Sequence, residues 1–214
     1  MDGPGHTGEE DFPDHIEIGR PRPESRALMT AKQLVYAYHE AQSDDDREYA
    51  ATEAESFLYS LGDDADAAVL LVLLQLPARD GAGAVVEMVQ ERLTERAPGV
   101  VAAVLRVALE YDGPARANAA DFLDGLSAHT VAMGLIQALA GETDHSLRRA
   151  AAESLVALGR PAASEILDAL ADEKIRSWIL RASGAPATAT DADVMHSITA
   201  RPLADSVWRR RARY

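Results

Sequence analysis

Apolar residues return at steps of three and four along most of this chain. Leu147, Ala151, Leu155 and Leu158 are spaced four, four and three apart, with Ala150, Ala152 and Val156 beside them. That spacing is the stripe of an amphipathic helix. Asp144 stands before its first turn, where a carboxylate caps free N–H groups, and Gly159 follows its last residue, a place suited to positive φ. Pro161 then opens a second helix whose stripe is Ile166, Leu167 and Leu170. Read the same way, the pattern predicts helices at about 30–42, 44–61, 65–76, 84–96, 99–111, 114–126, 129–140, 145–158, 161–171, 173–182 and 191–199. A last one begins at Pro202. In the opening helix Thr30 and Gln33 have capping-box spacing, and Leu34, Val35 and Tyr38 form the apolar face. The longest apolar run, Ala67 to Leu74, reads as a fully buried helix and is too short to cross a bilayer.

The pattern also repeats. RANAADFLDGL at 116–126 aligns with RRAAAESLVAL at 148–158, an offset of 32, pairing Ala119 with Ala151, Leu123 with Leu155 and Leu126 with Leu158. Phe57, Leu58 and Leu61 match Phe122, Leu123 and Leu126 at 65, about two periods, and Val86, Val89 and Leu93 fill the weaker unit between. Periods of this size are the mark of a solenoid. The dyads Asp112–Arg116, Asp144–Arg148 and Asp172–Arg176 recur with the period, each spaced to form an i, i+4 ion pair or to act as an ordinary cap.

LRRAAAESLVALG and the string DEKIR resemble the HEAT-like repeats of the phycobilisome-lyase type. The resemblance is clearest over 112–182, looser over 44–111, and does not extend to the first 43 residues. It implies an all-α, right-handed solenoid of about four antiparallel helix pairs with helical caps at both ends. The expected organisation is an acidic, Pro-rich disordered arm at 1–27, a capping helix at 28–43, the repeats at 44–182, a linker at 183–190, and C-terminal helices with a basic tail at 191–214. A repeat match carries fold far better than function.

Composition narrows the rest. Hydrophobic residues make up 47% of the chain but aromatics only 5%, so the core is built from Ala, Leu and Val, which suits closely spaced helices. There is no cysteine, which excludes disulfides, thiolate metal sites and a cysteine nucleophile. The acidic, polar start is not a secretory signal, and the expected location is cytoplasmic. Lysine occurs only at positions 32 and 174, which with the alanine richness suggests a high-GC bacterial genome. Net charge is −14; without Arg209, Arg210, Arg211 and Arg213 of the tail, 17 basic residues face 35 acidic ones, a balance of −18. Such a surface repels nucleic acid and acidic membranes and favours basic partners.

Candidate chemistry is sparse. The histidines at 6, 15, 39, 129, 145 and 196 are scattered, and His39–Glu40 resembles the histidine–glutamate pairs that bind iron in HEAT-repeat hydroxylases, which need several such pairs where this chain offers no second one. The carboxylates at 44–46 and 63–66 read as helix caps before they read as a cation site. No phosphate loop, nucleophile elbow or zinc-protease string is present. No cofactor and no metal are expected. Trp178 lies in an apolar stripe and reads as structural. Trp208 is a candidate anchor for the tail, and Arg209, Arg210 and Arg211 have three readings left open: contact with phosphate or an acidic protein, contact with the chain's own acidic groove, or plain solvation.

In HEAT-like stacks the second helix of each pair lines the concave face. The residues of those helices that point away from the core include Arg106 and Glu110, then Met133 and Gln137, then Glu165 and Asp168. These six form the expected partner-binding ridge, mixed and mildly acidic, with Met133 as an adaptable apolar contact. The expected role is a noncatalytic scaffold or accessory regulator that holds a protein, with a basic segment, in the groove. The rivals are a HEAT-like enzyme of bilin-lyase or DNA-glycosylase type, which needs a polar cluster converging in the groove, and an acidic DNA mimic.

Overall fold

The computed structural model describes residues 25–63, 65–78 and 81–200. The described residues are all-helical, with α1 at Arg26–Glu40, α2 at Asp44–Ser60, α3 at Ala67–Leu73, α4 at Gly83–Thr94, α5 at Val101–Glu110 and α6 at Gly113–Gly125. Then come α7 at Ala128–Gly141, α8 at His145–Leu158, α9 at Ala163–Ala169, α10 at Glu173–Ser183 and α11 at Asp191–Thr199. None of these helices is long and apolar enough to cross a membrane. The predicted arm, apart from its last three residues, and the predicted tail helix from Pro202, with Trp208 and Arg209, Arg210 and Arg211, lie outside the described residues.

Short polar side chains start the helices. Ser25, Ser43, Asp66, Ser127, Asp144, Asp172 and Thr190 each accept a backbone N–H of the first turn. A cap of this kind is worth about 1 kcal/mol. The first helix is therefore capped by Ser25 and begins at Arg26 rather than at Thr30. Thr30 lies inside it, and its hydroxyl donates to the Arg26 carbonyl at 3.0 Å instead of capping. Pro161 does not open α9 either; it sits in a short 3₁₀ turn, Arg160–Ala162, and α9 follows with only seven residues. Gly159, which ends α8, has φ +65, a conformation costly for any residue with a Cβ.

One contiguous core of small and branched apolar residues runs from Ala31 on α1 to Ile198 on α11. Leu34, Val35 and Tyr38 are buried as the face of α1. The α3 segment is more sided than its sequence: Val69, Leu70 and Leu73 are sealed, whereas Ala68 is exposed and Leu71 and Val72 are half-buried. Helices pack on others near them in sequence: α1 on α2 and α3, α3 on α4, α5 on α6, α7 and α8, α7 on α8, α9 and α10, α8 on α10, and α11 on α9 and α10.

The most extensive packing among the repeat helices is α5 with α6 and α7 with α8, not α6 with α7 or α8 with α9 as the sequence pairs them. Alanines explain it. Ala115, Ala119 and Ala120 on α6, and Ala150, Ala151 and Ala152 on α8, are buried and let backbones approach. The brevity of α9 limits what it can offer α8.

Two polar devices lock distant segments. Asn118 of α6 is 3% exposed, and its Nδ2 donates to the carbonyls of Leu74 and Leu76 at 2.8 and 2.6 Å, closing the frayed end of α3. Arg92 donates to the carbonyls of Leu58 and Gly62, and Arg96 to those of Asp63 and Ala65, so α4 and the turn just after it hold the α2–α3 turn.

The recurring acid–base dyads divide in use. Asp112 and Arg116 form their ion pair at 2.9 Å. Asp144 and Asp172 are occupied as caps, and their arginines reach elsewhere: Arg148 to the Thr143 carbonyl and the face of Trp178, Arg176 to Asp191 and the Ala189 carbonyl. A capping carboxylate already accepts two amides, which leaves less for an arginine one turn on.

Candidate partner-binding surface

The three helices that carry the predicted ridge form a row, α5 against α7 and α7 against α9. The contact of α5 with α7 is unusually tight because Gly134 faces Val101 and the Pro98 carbonyl; a Cβ there would lie 2.4 Å from Val101 Cβ. The row is stitched by side chains at both steps.

Between α5 and α7 the stitch is Arg106. Its Nη2 donates to Glu142 Oε2 at 2.9 Å, and its Nε lies 3.8 Å from Glu110 Oε1, an electrostatic contact too long for a hydrogen bond. Glu142 sits just beyond α7. Its Oε1 accepts the amides of Thr143 and Asp144 at 2.7 and 3.1 Å, and these, then Arg106, hold its pKa below the usual range.

Between α7 and α9 the stitch is His129, whose Nδ1 donates to Glu165 Oε1 at 2.6 Å while Ser164 donates to Oε2 at 2.9 Å. The His129 hydrogen bond is the main cause of a Glu165 pKa held below the ordinary value. Glu165 is thus only 12% exposed at its side chain.

The structure therefore divides the predicted ridge. Arg106 and Glu165 spend their charge on Glu142 and His129 inside the molecule, whereas Glu110, 3.8 Å from Arg106, stays exposed. Met133, Gln137 and Asp168 are exposed. Sequence reasoning missed three contributors. Leu167 was assigned to the apolar stripe of its helix but is 49% exposed, beside Asp168. His129 stood in plain view, since His129, Met133 and Gln137 are spaced by four on one face of α7. Glu142 lies between helices, where periodicity carries no signal.

Met133 and Leu167 with Gln137 and Asp168 stand exposed on α7 and α9, along with His129 and Ser164: apolar contacts beside an acid and an amide. That set can bury apolar surface and pair with a cation. Among the described residues no group of three or more His, Asp or Glu side chains is placed to hold a metal ion. No known protein family, curated protein or solved structure matches the chain.

Proposed function

We propose that this chain is a noncatalytic protein-binding scaffold: a right-handed HEAT-like solenoid of about four helix pairs, capped by helices at both ends, that holds a partner with a basic segment. Equivalent positions of the repeat support the architecture. Asp112, Asp144 and Asp172 each stand at a helix N-cap, Ala119 and Ala151 are both fully buried, and Leu123 and Leu155 are sealed alike. Packing between near neighbours in sequence is what a one-dimensional stack requires.

The observation that carries the function is the exposed set Met133, Gln137, Leu167 and Asp168 on the packed helices α7 and α9. Their acidic and apolar character, in a chain of net charge −14, suits a basic, partly apolar protein segment. Charge reversal at Glu165 is a poor probe, because it also breaks the contact with His129. The test is capture of the partner from native cell extract, followed by calorimetry with Met133→Glu and Asp168→Lys. A loss of about tenfold or more with an unchanged circular dichroism spectrum is expected, the size of one well-placed contact. Equal affinity for both variants refutes the surface.

A further inference from the structure

Away from that row, α8 and α10 leave a cleft of about 150 Å³ between them. Its floor is Trp178, 7% exposed, with Ala152 and Ala182 beside it, and its rim carries His145, Arg149 and Arg181. The indole is held firmly. His145 meets it edge-on with ring centroids 4.8 Å apart, and the guanidinium groups of Arg148 and Arg181 lie 5.2 and 5.5 Å from its centre. Glu153 also lines the cleft, but its ion pair with Arg149 is stretched to 4.0 Å and Arg149 is 68% exposed, so the guanidinium presents donors to solvent. An apolar, ring-sized floor under two arginines is out of keeping with a chain that carries 35 acidic residues against 21 basic ones.

We propose that this cleft binds a small planar aromatic carboxylate, its ring against Ala152, Ala182 and the exposed margin of Trp178 and its carboxylate bridging Arg149 and Arg181. Size, shape and charge each support the ligand class. A space of about 150 Å³ is what a benzene ring occupies in an apolar cavity. With the indole 7% exposed the ring meets only its open margin, and edge contact with an aromatic favours a flat ring over a bulky aliphatic one. The forked donors of arginine match the two oxygens of a carboxylate. The site is independent of the scaffold surface on α5, α7 and α9.

The probe is benzoate, titrated into the full chain carrying Trp208→Phe so that Trp178 gives the single indole signal, read as the Nε1–H proton–nitrogen NMR shift. Saturable movement in the millimolar range is expected. Benzamide, which keeps the ring and loses the charge, and acetate, which keeps the charge and loses the ring, should each bind about tenfold more weakly. Arg149→Gln/Arg181→Gln should weaken benzoate by at least about tenfold, the worth of charge-assisted hydrogen bonds. Arg181 also packs on Trp178, so Arg149→Gln alone, at an exposed residue clear of that contact, is the variant that tests the site rather than the fold, and it too should weaken benzoate; circular dichroism checks the fold of both variants. No saturable shift, acetate or benzamide binding as well as benzoate, or unchanged benzoate affinity in the folded double variant would each overturn the assignment.

Discussion

Replacing Gly134 by alanine separates two opposed effects at one position. In an open helix interior the change stabilises by about 1 kcal/mol, because glycine pays more backbone entropy. Here the new Cβ would sit 2.4 Å from Val101 Cβ, 2.6 Å from the Pro98 carbonyl oxygen and 2.8 Å from Val101 Cγ2. Carbon contacts settle near 3.5–4.0 Å, so α7 must retreat from α5 by about 1 Å or more. Neither a Cβ nor a backbone carbonyl can rotate aside, which places the overpacking cost near the upper end of its usual range, about 3 kcal/mol. The net is about 2 kcal/mol of destabilisation. For a chain of this length that lowers Tm by about 4–8 °C. Thermal and urea unfolding followed by circular dichroism measure it. Gly125→Ala and Gly141→Ala, where a Cβ meets nothing within 4 Å, serve as controls and should be neutral or slightly stabilising. A Gly134→Ala protein as stable as the native chain would refute the close approach of α5 and α7.

Two further substitutions test the polar devices. Asn118→Ala removes both hydrogen bonds to the Leu74 and Leu76 carbonyls, and the neighbouring open cleft at Pro77 and Pro114 admits water to them. The expected loss is about 2 kcal/mol, read from the urea midpoint, and an unchanged midpoint would contradict the bridge. Glu165→Gln tests the α7–α9 contact through pH. The folded-state pKa of Glu165 is held below its ordinary value, so its contribution is complete above the unfolded pKa of about 4.3 and is lost as pH falls through the lower folded value. The native chain should therefore lose more stability than Glu165→Gln between about pH 5 and the acid limit; parallel acid-unfolding curves would show that the bridge contributes nothing.

Local rules explain where sequence reading worked and where it stopped. Helix starts were legible because a cap is chemistry within three residues: Asp144 and Asp172 were found this way. The same rule misplaced the start of α1, since Thr30 and Gln33 have capping-box spacing but Ser25 lies one turn earlier with an equally good oxygen. The ridge on α5, α7 and α9 was located by periodicity, which tells inside from outside. It does not tell which outward charges will meet. Arg106 with Glu142 and His129 with Glu165 are each 36 residues apart, and no pattern along the chain marks them as partners.

By itself the sequence determines the helical character and helix order of the described residues, the caps at Asp66, Asp144 and Asp172, and an alanine-rich core, because three- and four-residue spacing and capping are short-range physics. Tertiary structure decides the rest. It sets how closely α5 and α7 approach at Gly134, which carbonyls Asn118 satisfies, and which surface charges are spent internally rather than left for a partner. Those outcomes depend on distances between segments tens of residues apart, and such distances exist only once the core has closed.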